Sequence, residues 1–167
     1  MQTTATPPVT LPCMEITFRR EMLGWIGATH FLLDPIDGDI PGMFAELRCT
    51  DEEVSLRSGL PVPPPRFLML TPWYVWQDYQ VELDDEFADG LDIRIEDDAS
   101  LLTIVTQRTP LERSTVNLFS PIVVNRHNGL ADQFVPATSE IEVGWRVRTP
   151  LLPSRPADEA GEGGIAC

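Results

Sequence analysis

The chain contains no lysine. All 12 of its basic residues are arginine, set against 26 Asp and Glu, for a formal charge of −14 over 167 residues. Direct contact with DNA or RNA requires basic side chains that displace the counterions condensed on phosphates, and a surface this acidic repels the polyanion. Basic proteins or neutral surfaces are the expected partners. Histidine is also scarce: His30 and His127 are the only two, neither stands beside a Ser or Cys in a nucleophile motif, and no G-x-S-x-G occurs. Cys13, Cys49 and Cys167 are too few and too widely spaced for a disulfide framework. No C-x-x-C, H-x-x-x-H or EF-hand spacing offers a metal site. Gly161, Gly163 and Gly164 have no strand before them and no helix after, which rules out a phosphate loop. An apolar run of about 18 residues, enough to span a membrane, is missing, and MQTTATPPVTLPC lacks the basic start and apolar stretch of a secretory signal. The sequence therefore predicts no catalytic residue, cofactor, metal or membrane contact, and a soluble, reducing, intracellular setting.

What is present is globular. With 43% hydrophobic residues, the chain has enough to bury for one domain with a real core. Residues 1–12 are Thr- and Pro-rich and residues 153–167 are small and acidic, so both ends are expected to be flexible around a domain at 13–152. Within it, short strand-like runs recur at 14–18, 30–33, 43–49, 66–70, 80–83, 101–107, 116–125, 131–135 and 142–148, separated by Pro and Gly. That pattern predicts a mainly β fold, a small antiparallel barrel or sandwich. One short helix is expected over 84–90, with Asp84 capping its free amides and Gly90 ending it. Residues 57–65, RSGLPVPPP, cannot form a central strand, because proline lacks the amide hydrogen a ladder needs, and read as a polyproline-like loop. Asn128-Gly129 predicts a hairpin with a two-residue type I′ turn, since both residues accept positive φ.

Two local concentrations stand out. From Glu82 to Asp98 there are nine carboxylates (Glu82, Asp84, Asp85, Glu86, Asp89, Asp92, Glu96, Asp97 and Asp98) against Arg94 alone. This run is either a solvated surface or a face that steers a basic partner. Just before it, TPWYVWQDYQVEL gathers Trp73, Tyr74, Trp76 and Tyr79 around Asp78. Such aromatics form a core edge, a protein interface or a sugar-stacking platform built on Trp73, Trp76 and Tyr79.

The same stretch carries a resemblance. PWYVWQDYQVEL is similar to the P-F-x-x-F-x-D-Y-x-[FVL]-x-[LI] segment of the flagellar assembly factor FliW family, and STVNLFSPIVVN to its T-x-N-L-x-[AS]-P-[IL]-[VI]-[IV]-N segment. Pro72, Trp73, Trp76, Asp78, Tyr79, Val81 and Leu83 match the first. Thr115, Asn117, Leu118, Pro121, Ile122, Val123, Val124 and Asn125 match the second. At the family's G-L-P-G-F signature this chain has EMLGW at 21–25, keeping the last glycine and an aromatic, and 57–65 resembles an insertion. The resemblance implies a non-enzymatic, cytoplasmic, small β-barrel protein. It further implies binding to the translational repressor CsrA, which frees flagellin messenger RNA for translation, and chaperone-like binding to flagellin itself. The candidate partner-binding residues are the motif positions Trp76, Asp78, Tyr79, Asn117 and Asn125, together with Glu82, Asp84, Asp85 and Glu86 of the acidic run as an electrostatic contact. For Asn117 and Asn125 a structural role in the strand competes with that reading.

Overall fold

The computed structural model describes residues 2–3 and 11–152. Alternation of apolar and polar side chains sets its first strands. In β2 (Met14–Phe18), which follows the short β1 (Gln2–Thr3), Ile16 and Phe18 point inward while Glu15 and Thr17 face water. After β3 (Trp25–Ile26), β4 (His30–Pro35) and β5 (Phe44–Cys49) repeat the pattern with Phe31 and Leu33, then Ala45, Leu47 and Cys49. The chain continues through β6 (Val54–Leu56), β7 (Pro61–Val62), β8 (Arg66–Leu70), β9 (Val81–Glu82) and β10 (Ala99–Thr106). It ends with β11 (Thr115–Val116), β12 (Ile122–Asn125), β13 (Leu130–Gln133) and β14 (Thr149–Pro150). Two short helices, α1 (Asp85–Gly90) and α2 (Glu140–Val143), interrupt this order. No helix among the described residues is long and apolar enough to cross a membrane.

Strands pair in the order β12-β13-β2-β4-β5-β8-β10, and β10 pairs back onto β12, which closes a barrel. Each neighbour in this ring is antiparallel except β13 and β2, which run parallel through Leu130 beside Thr17 and Ala131 beside Phe18. Beyond the ring, the far end of β10 pairs with β11, and β11 with β14.

Two cores result. Ile16, Phe31, Leu33, Leu47, Met69, Leu102, Ile122 and Val124 fill the barrel. A second core lies on the outer side of β8, β10 and β12, where Leu70, Leu101, Val105 and Val123 are covered by Tyr79, Leu83, Phe87, Leu91 and Ile93. β12 is accordingly buried along its whole length, which is why its sequence, IVVN, does not alternate.

Several elements differ from expectation. The β12–β13 hairpin forms, but its register leaves four loop residues, 126–129, rather than two. Of the pair, only Gly129 has positive φ, +74°. The Asn125 side chain accepts the His127 amide at 2.9 Å and the Asn128 side chain accepts that of Leu130 at 2.9 Å, and these bonds hold the wider loop in place of a type I′ turn. Residues 142–148 are not a strand: Ser139 Oγ accepts the Glu142 amide at 3.4 Å and Gly144, at φ +83°, stops α2 after one turn. The run 116–125 divides at Asn117–Pro121 into β11 and β12. Part of 57–65 is extended: Pro61 and Val62 pair with Ser55 and Val54 at the edge of a small sheet, β3-β6-β7, that packs on the barrel core through Trp25, Val54 and Val62. At the N-terminus, Gln2 and Thr3 pair with Glu82 and Val81, and Leu11 is buried. The remaining residues expected to be flexible, 1, 4–10 and 153–167, lie outside the described ones.

Candidate functional site

α1 forms because Asp84 accepts the Phe87 amide at 2.8 Å, satisfying one of the free donors of the first turn, and because Asp85 and Glu86 sit at the positive end of the helix. Gly90 is its last residue, without positive φ; a Cβ there would run into the Arg19 guanidinium. The helix packs inward through Phe87 and Ala88 and leaves its acidic first turn in solvent.

Between α1, β9 and the chain that follows β13 runs a surface groove. One stretch, about 340 Å³, is lined by Arg19, Arg20, Asp84, Glu86, Phe134 and Val135, among others. The next, about 490 Å³, continues past Asp84 and Phe134 to Glu82, Phe119 and Glu142. A third begins at Phe119 and reaches Ile141 on α2. Phe134 makes the floor, its ring edge-on to Phe87 at 5.0 Å. Apolar side chains are left uncovered along it: Val135 is 50% exposed and Ile141 93% exposed. Glu82, Asp85 and Glu86 have no ion-pair partner among the described residues. An apolar floor with unpaired carboxylates on its rim suits a partner that brings both apolar and basic side chains.

The other half of the acidic run is occupied. Arg94 reaches Asp92 at 3.0 Å and Asp89 at 3.3 Å. Asp98 accepts the amides of Arg94 and Ile95 at 2.9 and 3.1 Å and faces His127 Nε2 at 3.0 Å. These bonds from Arg94 and Ile95 hold the Asp98 carboxyl below its ordinary value.

Of the remaining candidates, Asp78 is exposed and Trp76 half-buried against the second core. Tyr79 is not available to a partner. Its ring is fully buried against Trp145 at 5.0 Å and its hydroxyl donates to the Leu118 carbonyl at 2.8 Å, so the stacking platform expected from Trp73, Trp76 and Tyr79 is not presented. Trp73 is likewise tied down, its indole N–H donating to the Tyr79 carbonyl at 2.7 Å. Asn125, 2% exposed, donates to the Leu91 and Asp92 carbonyls at 2.9 and 3.1 Å, which pins the second core's covering segment to β12. Asn117 is half-buried and accepts the Ser120 amide at 3.0 Å where the chain leaves β11.

Sequence reasoning missed α2 with its exposed Ile141, although Ser139 three residues before Glu142 is a helix-start signature. It also missed a small polar cluster, in which Asp51 accepts the Thr29 and His30 amides at 2.7 and 2.8 Å, the His30 ring at 2.9 Å and the Cys49 thiol at 3.6 Å. Burial pushes the Cys49 thiol up, away from the thiolate that nucleophilic chemistry needs.

The fold and groove define a small closed β-barrel whose prominent surface is an acidic, apolar-floored cleft. Residues 8–149 match the family model described as FliW protein. The chain belongs to the FliW family of flagellar assembly factors. It is 32% identical over 121 residues to the flagellar assembly factor FliW of Bacillus subtilis strain 168, covering 72% of this chain and 76% of that one. The factor of the same name in Clostridioides difficile strain 630 is 29% identical over 140 residues, 83% of this chain and 95% of the relative. In fold, the chain superposes on a crystal structure of the flagellar assembly factor FliW with a TM-score of 0.69 at 23% identity, over 84% of this chain and 87% of the other.

Proposed function

We propose that this chain is an anti-repressor: it binds a CsrA-type translational repressor, keeps it off flagellin messenger RNA, and also binds flagellin, so that new flagellin releases the repressor. The observation that carries this reading is the groove, floored by the buried Phe134, with Val135 and Ile141 uncovered and the unpaired carboxylates Glu82 and Glu86 in its lining, Asp85 lying exposed between them in sequence. An RNA-binding protein must be basic where it meets phosphate, and a rim of carboxylates complements such a surface. The −14 charge of the bound factor then opposes approach of the messenger. Nothing in this cycle requires a catalytic group; both partners are proteins and the setting is the cytoplasm. Asp84 lies on the acidic rim in this reading, Asp78 adds exposed negative charge upstream of it, and Trp76, packed on the second core, holds the scaffold with Tyr79, Asn117 and Asn125.

The test is size-exclusion chromatography of the purified chain with the CsrA-type repressor and the flagellin of its own host. Co-elution with each at micromolar concentration, and displacement of the repressor by flagellin, is expected. Separate elution in both mixtures removes the reading.

A further inference from the structure

Where β10 leaves the barrel, its inner face keeps going. Leu102 and Ile104 pack on the barrel core, Thr106 continues the same side at the strand's end, and Arg108, two residues past it, joins Ile104 and Thr106 along one cavity. Thr115 of β11 lies directly opposite Thr106, and the turn at Leu111–Arg113 and the approach to β14 bring in Arg113 and Arg148. Together with Asn117, these side chains line a cavity of about 330 Å³. No Asp or Glu lines it, and it shares no lining residue with the acidic groove. In a chain with 26 carboxylates and 12 arginines, Arg108, Arg113 and Arg148 nonetheless have no ion-pair partner among the described residues.

From this unopposed cluster we infer an oxyanion site of the phosphate class, taking free phosphate or a small phosphomonoester. The polar lining is rich in donors: three guanidinium forks, two hydroxyls and the Asn117 amide, whose oxygen is already engaged by the Ser120 N–H. A lone carboxylate is satisfied by one guanidinium fork, whereas a phosphate dianion offers three oxygens and two charges to several forks at once. The volume lies at the lower end of the range for small-molecule clefts, large enough for an organic group beside the phosphate.

Isothermal titration calorimetry on the full chain in chloride buffer tests this with inorganic phosphate, phenyl phosphate and succinate. Saturable binding of one or both phosphates at millimolar concentration or below is expected, with succinate much weaker; whichever phosphate binds more tightly identifies free phosphate or an organic monoester as the source. The Arg108→Ala/Arg148→Ala double variant should weaken binding at least about tenfold, and Arg113→Lys should weaken it while keeping the charge, because the fork is lost. Those arginines are exposed, so both variants should melt with the parent. Unsaturable heats, equal binding of succinate, or unchanged affinity in the double variant overturns the inference.

Discussion

Two polar residues, Asn125 buried and Asp51 partly so, show how single side chains hold this fold. Asn125 satisfies two carbonyls, those of Leu91 and Asp92, from inside the protein. Asn125→Ala leaves both without a donor and is expected to cost about 2–3 kcal/mol, seen as a lower urea midpoint at unchanged slope. Asp51 concerns acid stability. Burial alone raises its pKa, but the amides of His30 and Thr29 and the His30 ring outweigh burial and hold it below 3.8. A carboxylate held low in the folded state stabilises the fold above its unfolded value, and that contribution is lost as pH falls through the folded one. Stability is therefore expected to drop on acidification from about pH 4 downward, and Asp51→Asn to flatten that limb, measured by urea unfolding from about pH 7 to about pH 3. Neither residue announces its partners in the sequence, since the carbonyls Asn125 meets belong to a segment more than thirty positions away.

At the scale of elements, Gly129 is the position where the hairpin loop touches a third strand. It stands at φ +74°, and a Cβ there would lie 2.5 Å from the Glu15 carbonyl oxygen, while its own carbonyl accepts the Thr17 amide at 2.9 Å. Gly129→Ala therefore combines backbone strain with a clash against β2, and a loss of at least about 2 kcal/mol is expected in thermal or urea unfolding. Strands with clean alternation, such as β2 and β5, were legible from their own residues, as was α1 from Asp84. The loop length at 126–129 was not, because it depends on side-chain bonds made by Asn125 and Asn128 rather than on the turn preference of Asn-Gly. Through α2 and the residues after it, the alternation Ile141, Val143, Trp145, Val147 imitates a strand; Trp145 in fact packs at a tilt against Tyr79 and donates to the Gln80 carbonyl at 3.1 Å. The groove escaped notice for the same reason. Its two walls, β9 with α1 and the chain after β13, meet only in the folded protein.

For the molecule as a whole, charge and shape separate cleanly in experiment. Neutralising Glu82, Asp85 and Glu86 to Gln, Asn and Gln is expected to slow association with a basic protein partner and flatten its salt dependence, read by stopped-flow mixing, with stability shifted by less than about 1 kcal/mol. Ile141→Ser should leave the melting temperature unchanged, since the side chain is 93% exposed, and shorten the lifetime of any complex seated on the groove.

The parallel pair that closes the barrel also bears on synthesis. Thr17 and Phe18 are made early and their neighbours, Leu130 and Ala131, late. On the ribosome, β2 and β4 emerge with one edge of β2 bare until β13 has cleared the exit tunnel. Closure thus waits for β13 to emerge, and meanwhile Met14–Phe18 offers an open ladder to any extended chain nearby, a window in which a chaperone has something to hold.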